Sequence, residues 1–125
     1  MFKDFLLVGT GSFLGGGMRL LVSRLLAAWV PTPFPLGTFT VNVLGCLLIG
    51  FFSGQPVGSG HLSPAARLLL TTGFCGGFTT FSTFMSEHTA LVKDGQYFYL
   101  AFYLLGSLAL GLVAVLAGHQ LAKLV

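Results

Sequence analysis

The sequence predicts an all-α membrane protein with four transmembrane helices per subunit, the third helix broken mid-membrane, and a charge balance that would allow two oppositely oriented copies to associate. Three observations predict it. Hydrophobic residues make up 54% of the 125 and charged residues only 7%, whereas a soluble domain spends about a quarter of its residues on Asp, Glu, Lys and Arg. Apolar runs divide the chain into lengths that fit a bilayer at roughly 20 residues per span. The six Lys and Arg residues fall almost evenly on the two sides that those spans define. Such a composition argues against a soluble enzyme, and residues 1–125 read as one transmembrane domain. The net charge of +3 comes from scattered cations with no aromatic-interleaved basic stripe, so the expected surroundings are a lipid bilayer and not nucleic acid.

Segment one runs from about Phe5 to Val30 and ends on Trp29, a residue suited to a membrane–water interface. Arg19 and Arg24 interrupt its apolar run and no A-x-A site follows, so it is expected to stay in the mature protein rather than be cleaved. Pro31, Pro33 and Pro35 make a stiff connection to segment two, about Leu36 to Ser53. Gly54 to Pro64 reads as a loop, with Pro64 placed for the first turn of segment three, about Ala65 to Val92. The short turn Lys93-Asp94-Gly95-Gln96 leads into segment four, about Tyr97 to Ala122. Lys3, Arg67 and Lys123 then lie towards one side, Arg24 and Lys93 towards the other, with Arg19 deeper in its span. So small a bias predicts insertion in both orientations.

Gly11 with Gly15, and Gly73 with Gly77, form G-x-x-x-G pairs that let helix backbones approach in lipid. The run Gly9 to Gly15 misses the dinucleotide fingerprint, lacking its third glycine and the preceding strand. Cys46 and Cys75 lie in apolar runs without metal-ligand spacing, and read as small buried residues. His61, His88 and His119 are dispersed, so no zinc site or catalytic triad can be assembled.

Inside a bilayer the polar residues are informative, because each needs a partner or a wet cavity. Segment two puts Thr38, Asn42 and Gly45 or Cys46 on one face; Asn42 serves equally an interhelical hydrogen bond or an ion path. Segment four carries Tyr99, Tyr103, Ser107 and Gly111 at i, i+4 steps; Tyr97 and Tyr99 read as interface anchors, Tyr103 and Ser107 as a polar path. In segment three, Gly76-Gly77 followed by Thr79-Thr80 predicts a break, whose unwound carbonyls could hold a cation. Beyond it, Phe81, Phe84 and His88 share a face beside Thr80, Thr83 and Glu87. The electropositive ring edges of Phe81 and Phe84, set among hydroxyl donors, could face a small anion that passes without being trapped. Phe13, Phe39, Phe51, Phe52, Phe98 and Phe102 read as lipid-facing or packing residues.

The string Gly73-Phe74-Cys75-Gly76-Gly77-Phe78-Thr79-Thr80-Phe81-Ser82-Thr83-Phe84, together with Asn42 and the stretch Gly15-Gly16-Gly17-x-Arg19, resembles the Fluc fluoride channels, also called CrcB proteins. The resemblance covers the whole chain. It implies an antiparallel homodimer in a bacterial inner membrane, with two fluoride pores and one sodium ion at the dimer centre. By resemblance Phe81 and Phe84 line the pores from opposite subunits and Asn42 is a pore donor. Thr38, Ser82, Thr83, Tyr103 and Ser107 belong to the polar lining, and Arg19 stands at the aqueous entrance. The carbonyls of Gly76 and Thr79 hold the sodium. The sequence departs from the pattern at Gly111, where some relatives carry serine.

The implied task is passive fluoride export with no catalytic step. A proton-coupled multidrug-type transporter of four spans would need a membrane-embedded carboxylate, and Asp4, Glu87 and Asp94 all fall near segment ends. A non-transporting assembly subunit would use the glycines but leave the segment-three break without purpose.

Overall fold

A computed structural model describes residues 1–56 and 62–125. Helix α1 covers Phe2–Trp29 and stops where the proline-rich connection begins. Helix α2 covers Leu36–Ser53. The third apolar segment is divided into α3 (Pro64–Leu68), a π-helical stretch (Leu69–Cys75), α4 (Gly76–Phe78) and α5 (Ser82–Lys93). Helix α6 covers Tyr97–Lys123. Three of these, α1, α2 and α6, are long and apolar enough to cross a membrane. Of the loop expected at Gly54 to Pro64, residues 57–61 lie outside the described residues, and His61 with them.

The third segment owes its pieces to local hydrogen bonding. Ser63 accepts a hydrogen bond from the Ala66 N–H at 3.1 Å and Pro64 occupies the first turn, so α3 starts with a side-chain cap and a residue that needs no N–H partner. After α4 the backbone becomes extended at Thr79 (φ −89°, ψ 162°). Thr80 Oγ1 then accepts from the Thr83 N–H at 3.3 Å, in the manner of an N-cap, and α5 begins. The sequence reading put the break in the run Gly76-Gly77 to Thr79-Thr80; the two glycines are helical and the irregular residues are Thr79, Thr80 and Phe81. Gly77 serves packing instead. A Cβ there would sit 2.6 Å from the Ser12 carbonyl oxygen and 3.1 Å from the Gly16 nitrogen on α1.

Glycines make two seams. Along the first, α1 lies against the π-helical stretch and α4: Gly11 abuts Leu69 and Phe74, Gly15 abuts the Phe74 carbonyl, and Ser12 Oγ donates to the Gly73 carbonyl at 3.2 Å. Both G-x-x-x-G pairs are therefore backbone contact points. The second seam joins α2 to α6. Gly50 abuts the Val115 backbone, and Gly118 abuts Leu47 and Phe51. At the end of α5, Gly95 adopts a positive φ of 70°, and the Gln96 N–H reaches the Leu91 carbonyl at 2.9 Å, closing the turn into α6.

Close backbone contact at Gly15 sets an expectation for substitution. Gly15→Val forces a branched side chain onto the Phe74 carbonyl and lowers stability in detergent by about 1–3 kcal/mol, the usual cost of overpacking. Gly9→Ala, where a Cβ meets nothing within 4 Å, changes it by less than about 1 kcal/mol. Thermal unfolding of the two purified variants checks the contrast.

Candidate functional site

Asn42, near the middle of α2, is bound to the irregular segment by two reciprocal hydrogen bonds. Its Nδ2 donates to the Thr80 carbonyl at 3.1 Å, and the Thr80 N–H donates to its Oδ1 at 2.8 Å. An amide side chain carries donor and acceptor side by side, so one residue satisfies both backbone groups that the interruption removes from the helical ladder. Gly45, one turn on, makes room: a Cβ there would collide with the Thr79 methyl. Thr79 directs both its N–H and its Oγ1 to the Cys75 carbonyl, at 3.0 and 2.9 Å.

This contact builds one wall of a groove of about 380 Å³. Asn42, Gly45 and Cys46 line it from α2; Thr79, Thr80 and Phe81 from the interruption; Phe84 from α5; Ser107 from α6. One Asn42 N–H is committed to Thr80, which leaves the amide's second N–H. Ser107 Oγ is buried with no hydrogen-bond partner among the described residues. Phe84 is 6% exposed and Phe81 73%, with ring centroids 6.1 Å apart. No Lys or Arg lines the groove.

Thr38 and Tyr103 belong to a neighbouring cluster around Glu87. Tyr103 OH donates to Glu87 Oε1 at 2.7 Å and Thr38 Oγ1 donates to Oε2 at 3.0 Å. Thr38 and Glu87 also line a second cavity, of about 490 Å³, beside the proline-rich connection. The sequence reading placed Glu87 near a segment end and assigned it no role. Instead it lies half-buried within α5, and both carboxylate oxygens are engaged by hydroxyls from α2 and α6. The only sequence sign was its i, i+4 relation to Thr83 on the hydroxyl-bearing face.

Ser82 and Thr83 are not gathered into the groove. Ser82 is exposed at the first position of α5, and the Thr83 N–H is used by Thr80. Arg19 Nε donates to the Gly77 carbonyl at 3.0 Å, so its guanidinium ties α1 to α4. The carbonyls of Gly76 and Thr79 accept no hydrogen bond among the described residues, and Gly76 faces open space.

Comparison with known proteins decides the family. A model of the family described as CrcB-like protein, Camphor Resistance (CrcB), matches residues 6–119. The chain belongs to the CrcB-like family. It is 53% identical over 123 residues to a protein of Chlorobium phaeobacteroides (strain BS1) named "Fluoride-specific ion channel FluC", covering 98% of this chain and 95% of the relative. A protein of the same name from Chlorobaculum tepidum is 53% identical over 122 residues, covering 98% and 96%. Another from Phocaeicola vulgatus is 43% identical over 121 residues, covering 97% and 99%. The CrcB-like match spans the groove, the Glu87 cluster and both glycine seams.

The hydrogen bonding of Asn42 and Ser107 predicts unequal costs in this CrcB-like chain. Asn42→Leu orphans the Thr80 N–H and C=O and destabilises by about 1–3 kcal/mol for each group left buried. Ser107→Ala removes a hydroxyl that has no partner and changes stability by less than about 1 kcal/mol. Thermal unfolding in detergent measures both.

Proposed function

We propose that the chain is a fluoride-selective ion channel that exports fluoride passively and electrogenically across a bacterial inner membrane, protecting the cell from fluoride. The observation that carries this reading is the groove at Asn42: N–H and O–H donors and two phenyl rings around a space that no Lys or Arg lines among the described residues. A small anion there exchanges water for weak contacts and is not trapped, the balance conduction requires. The family, and the printed name of the relatives, support fluoride as the anion. From the groove the path continues by Tyr103 and Thr38, with Ser82 and Thr83 adding hydroxyls and Arg19 drawing anions to the entrance.

The pieces Pro64–Leu68 through Ser82–Lys93 together form a third crossing, making four per subunit. Phe81, largely exposed on the single chain, is the ring that an antiparallel second copy would cover and that completes the pore. Sodium fits the same arrangement. The Gly76 and Thr79 carbonyls have no partners among the described residues and are hard oxygen donors, and two-fold symmetry would double them across a dimer. When bound, sodium supplies a charge that holds the two interrupted segments together.

A proton-coupled transporter finds one supporting feature, the inward Glu87 carboxylate. Purified protein in liposomes separates the readings: electrogenic fluoride efflux supports the channel, proton-coupled uptake of an organic cation supports the transporter, and no flux supports an assembly subunit. Asn42→Asp, Phe81→Ile and Phe84→Ile each slow fluoride efflux by about tenfold or more, as loss of some 1.4 kcal/mol of barrier lowering requires. Phe51→Ile and Phe102→Ile conduct near the wild-type rate; equal flux across all five variants contradicts the assignment. Reporters fused after Val125 register on both sides of the membrane at native expression, and a reporter on one side only contradicts the antiparallel dimer.

A further inference from the structure

His88 is the one buried imidazole among the described residues, 8% exposed and close to two residues of the proposed path. Its ring stacks on Tyr103, with centroids 4.6 Å apart and planes within 8°, and meets Phe84 edge to face at 4.5 Å. Phe84 and Tyr103 also meet each other at 4.9 Å, so the three rings form a closed triad. Nδ1 lies 2.7 Å from the Phe84 carbonyl. A carbonyl only accepts, so Nδ1 carries the proton and, in the neutral ring, Nε2 carries a lone pair. Nε2 is buried and has no hydrogen-bond partner among the described residues.

We propose that His88 is a positioning residue of the anion path, holding the Phe84 and Tyr103 rings in place as the neutral Nδ1–H tautomer, and that protonation at Nε2 slows conduction. The inference rests on the channel reading above. The neutral ring braces Phe84 from the side and Tyr103 from its face, which keeps the Tyr103 hydroxyl on Glu87. Protonation converts the unpartnered Nε2 into an N–H donor and places a fixed cation against the Phe84 ring. A path that works by weak contacts then holds the anion in a deeper well, and the ion leaves more slowly. The titratable groups facing this triad are few. Glu87 comes from α5 itself, and Tyr103 and Tyr99 from α6; α2 contributes Thr38 and Phe39 and the proline-rich connection contributes Phe34, none of which titrates.

Fluoride current through single channels in planar bilayers tests this, because neutral HF carries no current. Recordings compare the current at about pH 7.5 with that at about pH 5.5. The wild-type current is expected to fall several-fold at the lower pH. His88→Phe keeps a flat ring in the stack but cannot titrate, so it carries current that is the same at both values. His88→Ala removes the brace and lowers the current at both. Wild-type current that does not change with pH overturns the proposal, as does His88→Phe keeping the wild-type fall, which would assign the titration to Glu87. His88→Ala conducting like wild type removes the positioning role. Absence of fluoride current in the wild type at pH 7.5 contradicts the channel reading itself, so the two failures are distinguishable.

Discussion

Backbone polar groups that leave a helical ladder inside a membrane protein must be satisfied by the protein, and the Asn42–Thr80 pair is where this chain meets that requirement. Much of the site geometry depends on it. With the Thr80 N–H and C=O paired to α2, the chain can stay extended at Thr79 and restart as α5 at Ser82. The restart sets the rotation of α5, which turns Phe84 and His88 onto Tyr103 and brings Glu87 between Thr38 and Tyr103. It also leaves the carbonyls of Gly76 and Thr79 without partners among the described residues. A side chain of the wrong chemistry at position 42 would leave both Thr80 groups unpaired, and a larger residue than glycine at 45 would push Thr79 away.

Two chemical environments follow from this geometry, separated along α2 by one turn. At Asn42 the groove offers donors and an aromatic ring: the amide, the Ser107 hydroxyl and Phe84. At Thr38 the hydroxyl donors point the other way, into the Glu87 carboxylate. The donor end favours an anion, while the carboxylate end engages the Thr38 and Tyr103 hydroxyls in their own hydrogen bonds. Among the described residues no Lys or Arg lines either the groove or the cavity at Glu87.

Much of this was legible in the sequence because membrane chemistry restricts what a residue can do. Pro31, Pro33 and Pro35 could only be a connection, and α2 begins just after them, at Leu36. Asn42 stood out as the sole amide of its segment, and the i, i+4 rule put Thr38 and either Gly45 or Cys46 on its face; Thr38, Asn42 and Gly45 meet the third segment. Of the run Gly76-Gly77 to Thr79-Thr80 in which the sequence reading put the break, the glycines stay helical and the threonines are irregular. The deciding term was tertiary: α1 needs Gly77 for contact, while Asn42 supplies partners three residues later. Glu87 was hidden because distance along the chain from a helix end does not tell which way a side chain reaches. The π-helical stretch Leu69–Cys75 and the second glycine seam, Gly50 with Gly118, had no local sequence signal, since both depend on which helix lies alongside.

The central claim is that Asn42 holds the irregular segment in place, and the Thr80 amide proton reports on it directly. Hydrogen exchange at that amide, followed by NMR in lipid bilayers, is predicted to be slow in the wild type and fast in Asn42→Ala, with the increase confined to Thr79 through Thr83. Equal exchange in the two proteins would contradict the account.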